Sequence, residues 1–309
     1  MKAKSVQQHE YPTKPVRLLV PFPTGGSTEF TALTLGAQLQ KLLAQPFVVE
    51  NKVGDVGIVA LREIVDADGY TLLVGSVNTN SIAPVLFKRK IDFDYDSKIV
   101  PVSRLAEFPS MLVIRASVPA ATVQEFIAYA KKRWGKIRNG TDWIGSYPDI
   151  DALMMAQAGG FDVVNIAKEG GADALLAALI ANDIDMLFLN ARTAGRAIRA
   201  GGIKALAVTG PDRLAAFPSV PTMEECGFKG IGTSHWHGLF VSSAVSADIV
   251  RLLHGAVCQA LQAEEAQAAF GNAGARVVPS ASPEQFAGEI RAEMAQWRKV
   301  AERMALPIA

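Results

Sequence analysis

The sequence predicts an α/β protein of two lobes, each a mainly parallel sheet flanked by helices, with two crossing strands joining them. Three observations carry that expectation. Short strand-like runs alternate with helical patterns along most of the chain, the pattern that yields sheets covered by helices. At 309 residues the chain is too long for one ordinary core. Two extended apolar segments, near 100–113 and 231–241, sit where a chain would leave one lobe and return to it. The expected first lobe is 1–105 plus 233–309, and the expected second lobe is 106–232.

Val16 to Val20 is a β-branched and aliphatic run long enough for a buried strand. Pro21, Pro23, Gly25 and Gly26 end the pairing and turn the chain. Ser27 or Thr28 is the expected N-cap, and Leu35, Leu39, Leu42 and Leu43 repeat at the spacing of one helix face. A strand that runs through a glycine turn into a helix leaves free backbone N–H groups at the positive end of the helix dipole. That place suits an anion, although an ordinary strand-to-helix connection reads the same way. Phe47-Val48-Val49-Glu50 and Thr71-Leu72-Leu73-Val74 are the next strands, opening into the polar loops 51–57 and 75–80. In open α/β sheets, ligands bind in the crevice at such strand ends.

Thr122-Val123-Gln124-Glu125 matches a capping box for a helix running to about Trp134-Gly135. A further unit begins at Ile144-Gly145-Ser146-Tyr147, with Pro148 placed as first helical residue. Strands are expected at 163–166, 184–189 and 205–209, with a helix after Lys168-Glu169-Gly170-Gly171. Beyond 241 the chain reads as helical, with starts at Ser246 and Ser282-Pro283.

Composition sets limits on function. Half the residues are hydrophobic and a fifth charged, with a formal net charge of +1. No lysine and arginine run is long enough for a nucleic-acid face, and no apolar run of about 18 residues suggests a membrane span. The first ten residues lack the apolar core of a signal peptide. They suit a cytoplasmic start or a mature chain whose export signal has been removed. Cys226 and Cys258 are the only cysteines, and they are read as two free thiols or as one bridge. No cofactor and no metal site is expected.

The chain resembles a family, the substrate-binding receptors of tripartite tricarboxylate transporters, also called Bug receptors. The similarity rests on Pro21-Phe22-Pro23-Thr24-Gly25-Gly26, Val48-Val49-Glu50-Asn51-Lys52 and Asp68-Gly69-Tyr70-Thr71-Leu72-Leu73. Pro101-Val102-Ser103, Ala205-Leu206-Ala207-Val208-Thr209 and Phe217-Pro218-Ser219-Val220-Pro221-Thr222 continue it almost to the end. The resemblance implies a periplasmic-binding-protein type II-like fold and a periplasmic receptor, read as a monomer. Such a receptor closes on a small organic acid or amino acid and delivers it to membrane permease components without catalysis.

By resemblance, one lobe offers Phe22, Thr24, Gly25, Gly26, Ser27, Thr28, Glu29, Asn78 and Thr79 to the ligand. The other offers Gly145, Ser146, Tyr147, Lys168, Gly170 and Asn190. The chain departs from the family pattern at Glu29, usually aspartate, at Asp55 and Val56 in a glycine-rich loop, and at Asp149, often histidine. Trp143 and Tyr147 stand where small residues are usual. Extra negative charge beside an anion site disfavours a dicarboxylate, and bulkier walls favour an aromatic or smaller ligand.

Alternative roles stay open for several residues. Glu29 either accepts from a ligand or only occupies the first helical turn, as Asp149 and Asp151 are expected to do. Lys168 is a ligand partner or a solvated lysine, and Asn190 faces the cleft or forms a turn. His235 and His237 share one strand face, as metal ligands would, but packing is the plainer reading. His254 and Cys258 have the spacing of a thiolate–imidazole pair, or simply share a helix face. The alternative function is an enzyme on the same two-lobed scaffold, using Glu29, Lys168 or Cys258, and a cytoplasmic ligand sensor is the second.

Overall fold

The strand Val16–Val20 (β1) places Leu18 and Val20 on one side and Leu19 on the other, because side chains alternate along a strand. Both sides are apolar, so β1 must be covered on both faces. The computed structural model, which describes residues 11–133, 137–304 and 306, shows how. The helix Ser27–Leu43 (α1) follows β1, then Phe47–Asn51 (β2), Ile58–Val65 (α2) and Thr71–Ser76 (β3). A π-helical turn at Asn78–Ile82 leads through the short helices Ala83–Leu86 (α3) and Tyr95–Lys98 (α4) to Ile99–Phe108 (β4).

After Pro109 the extended chain enters another sheet as Ser110–Arg115 (β5). There follow Val123–Lys131 (α5), Ile137–Thr141 (β6), Tyr147–Gly159 (α6), Val163–Ala167 (β7) and Gly171–Ile180 (α7). Met186–Asn190 (β8), Ala191–Arg199 (α8) and Ile203–Val208 (β9) complete that set. His235–Ser242 (β10) returns to the first sheet, followed by Ala247–Gln262 (α9), Glu264–Asn272 (α10), Arg276–Val277 (β11) and Pro283–Arg303 (α11). The expected helix end at Trp134-Gly135 and the first ten residues lie outside the described residues.

The first sheet has the order β11-β4-β10-β3-β1-β2 and the second β7-β6-β8-β5-β9. Both are mixed. β1 pairs parallel with β2 and β3, and β6 with β7 and β8, as the strand–helix alternation predicts. The crossing segments run against them: β10 is antiparallel to β3 and β4, and β5 to β8 and β9. A strand that arrives from the other sheet has no crossover helix to turn it parallel.

One face of the first sheet packs on Leu35 and Leu39 of α1, Leu253 and Val257 of α9 and Phe270 of α10. The other packs on Leu61 and Ile64 of α2 and Phe286, Ile290 and Met294 of α11. The second sheet is likewise covered on both faces. Thr122 caps the Glu125 N–H of α5 at 3.1 Å, while the Glu125 carboxylate reaches back to the Ala121 N–H at 2.7 Å. Ser282 and Gln285 do the same for α11. These are complete capping boxes, and they lie at helix starts remote from the gap between the sheets.

The crossing strand β10 is buried at every residue. Trp236 meets Phe286 edge-on with centroids 5.4 Å apart, and its indole N–H donates to Glu293 at 2.9 Å. Gly238 lets Phe286 lie against the strand, since a Cβ there would come within 2.5 Å of the ring. Phe286→Ala is expected to destabilise the protein by about 3–5 kcal/mol, measured as the shift in a urea unfolding curve. A loss below about 1 kcal/mol would mean that this contact does not hold α11 to the crossing strand.

Candidate functional site

The same turn is built twice, once in each sheet. Residues 21–29 connect β1 to α1, and residues 142–149 connect β6 to α6. Gly25 and Gly145 hold the same left-handed conformation, φ +88° and +89°, which L side chains adopt only under strain. The third helical residue then folds back on the glycine. Glu29 accepts the Gly25 N–H at 2.6 Å, and Asp149 accepts the Gly145 N–H at 2.6 Å. Each turn is thus half of a capping box.

The other half is missing. The N-cap of α1 is Gly26, one residue earlier than the expected Ser27 or Thr28, and it has no side chain to offer. The N-cap of α6 is Ser146, whose hydroxyl is spent on Thr141 at 2.7 Å and caps nothing. In α7 the N-cap is Gly170, again without a side-chain cap. Among the helix starts at this end of the sheets, α8 differs in that a side chain closes it, Asn190 accepting from the Thr193 N–H at 3.0 Å. The first intrahelical bond of α1 runs from Phe30 to Gly26, so the N–H groups of Ser27, Thr28 and Glu29 precede the ladder.

These helix starts border one cavity of about 70 Å³ between the two sheets, lined by residues 22–28, 170–173 and 188–190 together with Asn78, Asp142, Tyr147, Pro148, Leu175 and His235. Among the described lining residues there is no lysine or arginine. The two lobes touch across it. Asn78 accepts the Tyr147 N–H at 2.9 Å, and Arg192 donates to the Gly25 carbonyl at 3.0 Å. Phe22 and Trp143 stack face to face, 6.2 Å apart and 11° from parallel.

Phe22, Thr24, Gly25, Gly26, Ser27, Thr28, Asn78, Tyr147, Gly170 and Asn190 all border the cavity. Five expected residues do not. Glu29 is folded onto Gly25, its longer side chain curling back instead of forward. Thr79 is buried, hydrogen-bonded to the Ser76 N–H and to Asn80. Gly145 and Ser146 build the turn without lining the space. Lys168 pairs with Asp183 at 2.9 Å. Asp55 lies outside the cavity as well, paired with Lys90, and Val56 takes φ +53°.

Ten lining residues escaped the sequence reading as site residues, and three of them, Asp142, Asp173 and His235, are titratable. Asp142 follows β6 where Phe22 follows β1, and burial pushes its carboxyl up to about 6. His235 opens β10 with its ring stacked on Tyr147 at 4.5 Å. Burial drives its imidazole down to about 3, so it is neutral at physiological pH. His237 sits between Thr28, at 3.2 Å, and Thr31, at 2.7 Å. The equivalence of the two turns was the available signal for Asp142. Among the described residues no group of three His, Cys, Asp or Glu could hold a metal ion.

Other side chains settle into structural roles. Asp151 accepts the N–H and hydroxyl of Thr233 ahead of β10, at 2.9 and 2.7 Å. The His254 ring approaches the Ser280 carbonyl at 2.9 Å and the Cys258 sulfur at 3.8 Å, while burial raises the Cys258 thiol. Cys226 and Cys258 are both free. No helix among the described residues is long and apolar enough to cross a membrane.

Two sheets joined by crossing strands, with open helix starts facing a shared cavity, define a two-lobed solute-binding protein. The family model described as "Tripartite tricarboxylate transporter family receptor" matches residues 32–306, and the chain belongs to that family. It is 31% identical to protein BugT of Bordetella pertussis over 96% of this chain and 91% of the relative. Its fold is similar to that of an R. palustris protein solved with adipate, with TM-score 0.89, 25% identity and coverage of 96% and 99%. It is also similar to the periplasmic binding protein BugD, with TM-score 0.87, 27% identity and coverage of 96% and 99%.

Burial pushes the Asp151 carboxyl up to about 7, against the pull of Thr233. Between the unfolded value near 4 and the folded value, the folded protein holds a proton that the unfolded chain has lost. Asp151 therefore costs stability as pH rises through that window, and the cost is complete above pH 7. Asp151→Asn keeps an acceptor for Thr233 and removes the penalty. The gain in unfolding free energy over wild type is expected to be about 2–3 kcal/mol larger at pH 8 than at pH 5. An equal gain at both pH values would refute the assignment.

Proposed function

We propose that the protein is an extracytoplasmic receptor that closes its lobes on a small carboxylate. It then presents the ligand, chemically unchanged, to the membrane components of a tripartite tricarboxylate-type transporter. The observation that carries this reading is the pair of uncapped starts of α1 and α7 at a cavity with no cation among its described lining residues. Oriented N–H groups at positive helix ends receive a carboxylate without a counter-ion. The adipate held by the R. palustris relative supports the same ligand class, and the family supports delivery to a permease and a periplasmic location.

The lobes 1–105 with 233–309, and 106–232, move as units about the crossing strands, and the contacts of Asn78, Arg192 and Phe22 mark the closed position. The monomer is the working form. Of the residues weighed for catalysis, Glu29 and Lys168 are engaged elsewhere, and Cys258 lies in α9, outside the cavity.

Two measurements test the reading. Native mass spectrometry of protein purified without denaturation is expected to show a bound small acid, recovered intact after prolonged incubation. A converted product would instead favour the enzyme. Gly25→Ala forces a side chain into the left-handed region, a strain of about 1–2 kcal/mol, and should weaken binding of the recovered acid roughly tenfold. Unchanged affinity would show that the turn does not shape the site.

A further inference from the structure

The helix starts explain where a carboxylate goes, but not why the same cavity contains Asp142. Its Oδ1 is buried and has no hydrogen-bond partner among the described residues. Burial is the only influence acting on its acidity. No lysine or arginine among the described lining residues stands ready to compensate it, and His235 is neutral. Asp173 adds a second carboxylate at the rim, 3.4 Å from where a Cβ on Gly25 would lie. Asp142 as a whole is half-buried, but its enclosed Oδ1 without a partner is costly, and a positive group arriving with the ligand removes that cost.

We propose, resting on the carboxylate-receptor reading above, that the ligand is a small zwitterion whose carboxylate meets the helix starts and whose ammonium meets Asp142. A second carboxylate on the ligand would face Asp142 and Asp173 instead, a like-charge encounter in a narrow, partly solvated space. The cavity is small, about 70 Å³, which favours a small acid over a long one.

Isothermal titration tests the proposal with glycine, L-alanine and L-serine against acetate, propionate and 3-hydroxypropionate, which lack the amine, and against succinate. At least one amino acid is expected to bind tenfold or more tighter than its amine-free counterpart and than succinate. Asp142→Asn is expected to erase that margin. Binding of succinate or of an amine-free acid in preference to all three amino acids would overturn the proposal while leaving the receptor reading intact. So would an amino-acid affinity unaltered in Asp142→Asn. If none of the acids binds, the carboxylate reading fails and the zwitterion proposal falls with it. Should the variant not fold, the wild-type comparison alone decides.

Discussion

A backbone N–H at the start of a helix must find an acceptor, and in this protein the chain supplies no side-chain cap at two helix starts that border one cavity, α1 and α7. At α5, α9 and α11 a serine or threonine cap accepts one of those bonds. At α1 and α7 the N-cap is glycine, while at α6 the serine is turned toward Thr141 and Asn78 of the other lobe accepts the Tyr147 N–H. While the lobes are apart, water satisfies these donors. When they close, water leaves, and unsatisfied buried donors cost about 1–3 kcal/mol each. Under the proposed receptor function, closure is conditional on an acceptor arriving with the ligand, and recognition is thereby coupled to the shape presented to a transporter.

The rest of the architecture serves that condition. The glycines at 25 and 145 turn each strand sharply enough to aim a helix start at the gap, and Glu29 and Asp149 lock the two turns. Burial pushes Asp149 up to about 6, while the Gly145 N–H pulls against that rise. The lobes are joined twice, directly from β4 to β5 at Pro109 and through the segment 209–234, which is free of strands longer than a single bridge, ahead of β10. Asp151 and Thr233 fasten the second passage to α6, next to the cavity wall formed by Tyr147 and His235. A change in the lobe angle is thereby felt where the ligand sits. In a closed site with so little room, one methylene or one charge more on the ligand counts heavily in affinity.

The two-lobed plan and half of the cavity wall were legible because they reside in local chemistry. Proline and glycine after β1 mark a turn regardless of the rest of the chain, and Leu35 and Leu39 mark the buried face of α1. Where the reading missed, long-range geometry decided. Ser27 has the better intrinsic cap propensity, yet the helix begins one residue earlier, at a glycine that leaves donors open. Lys168 is taken by Asp183, fifteen residues away, and Thr79 is turned into the core by Ser76 and Asn80. Asp142 and His235 come together only because the crossing strand β10 starts beside the second βα turn. Strand direction was likewise hidden, since the apolar pattern of β10 is the same whether its neighbours run with it or against it.

The most direct test of the central claim is a crystal structure of the protein with its bound acid. The account predicts ligand carboxylate oxygens about 2.7–3.2 Å from backbone nitrogens in the first turns of α1 and α7, with the lobes shut around them. A carboxylate gripped by the Arg192 or Lys168 side chain, with those helix starts facing only water, would contradict it.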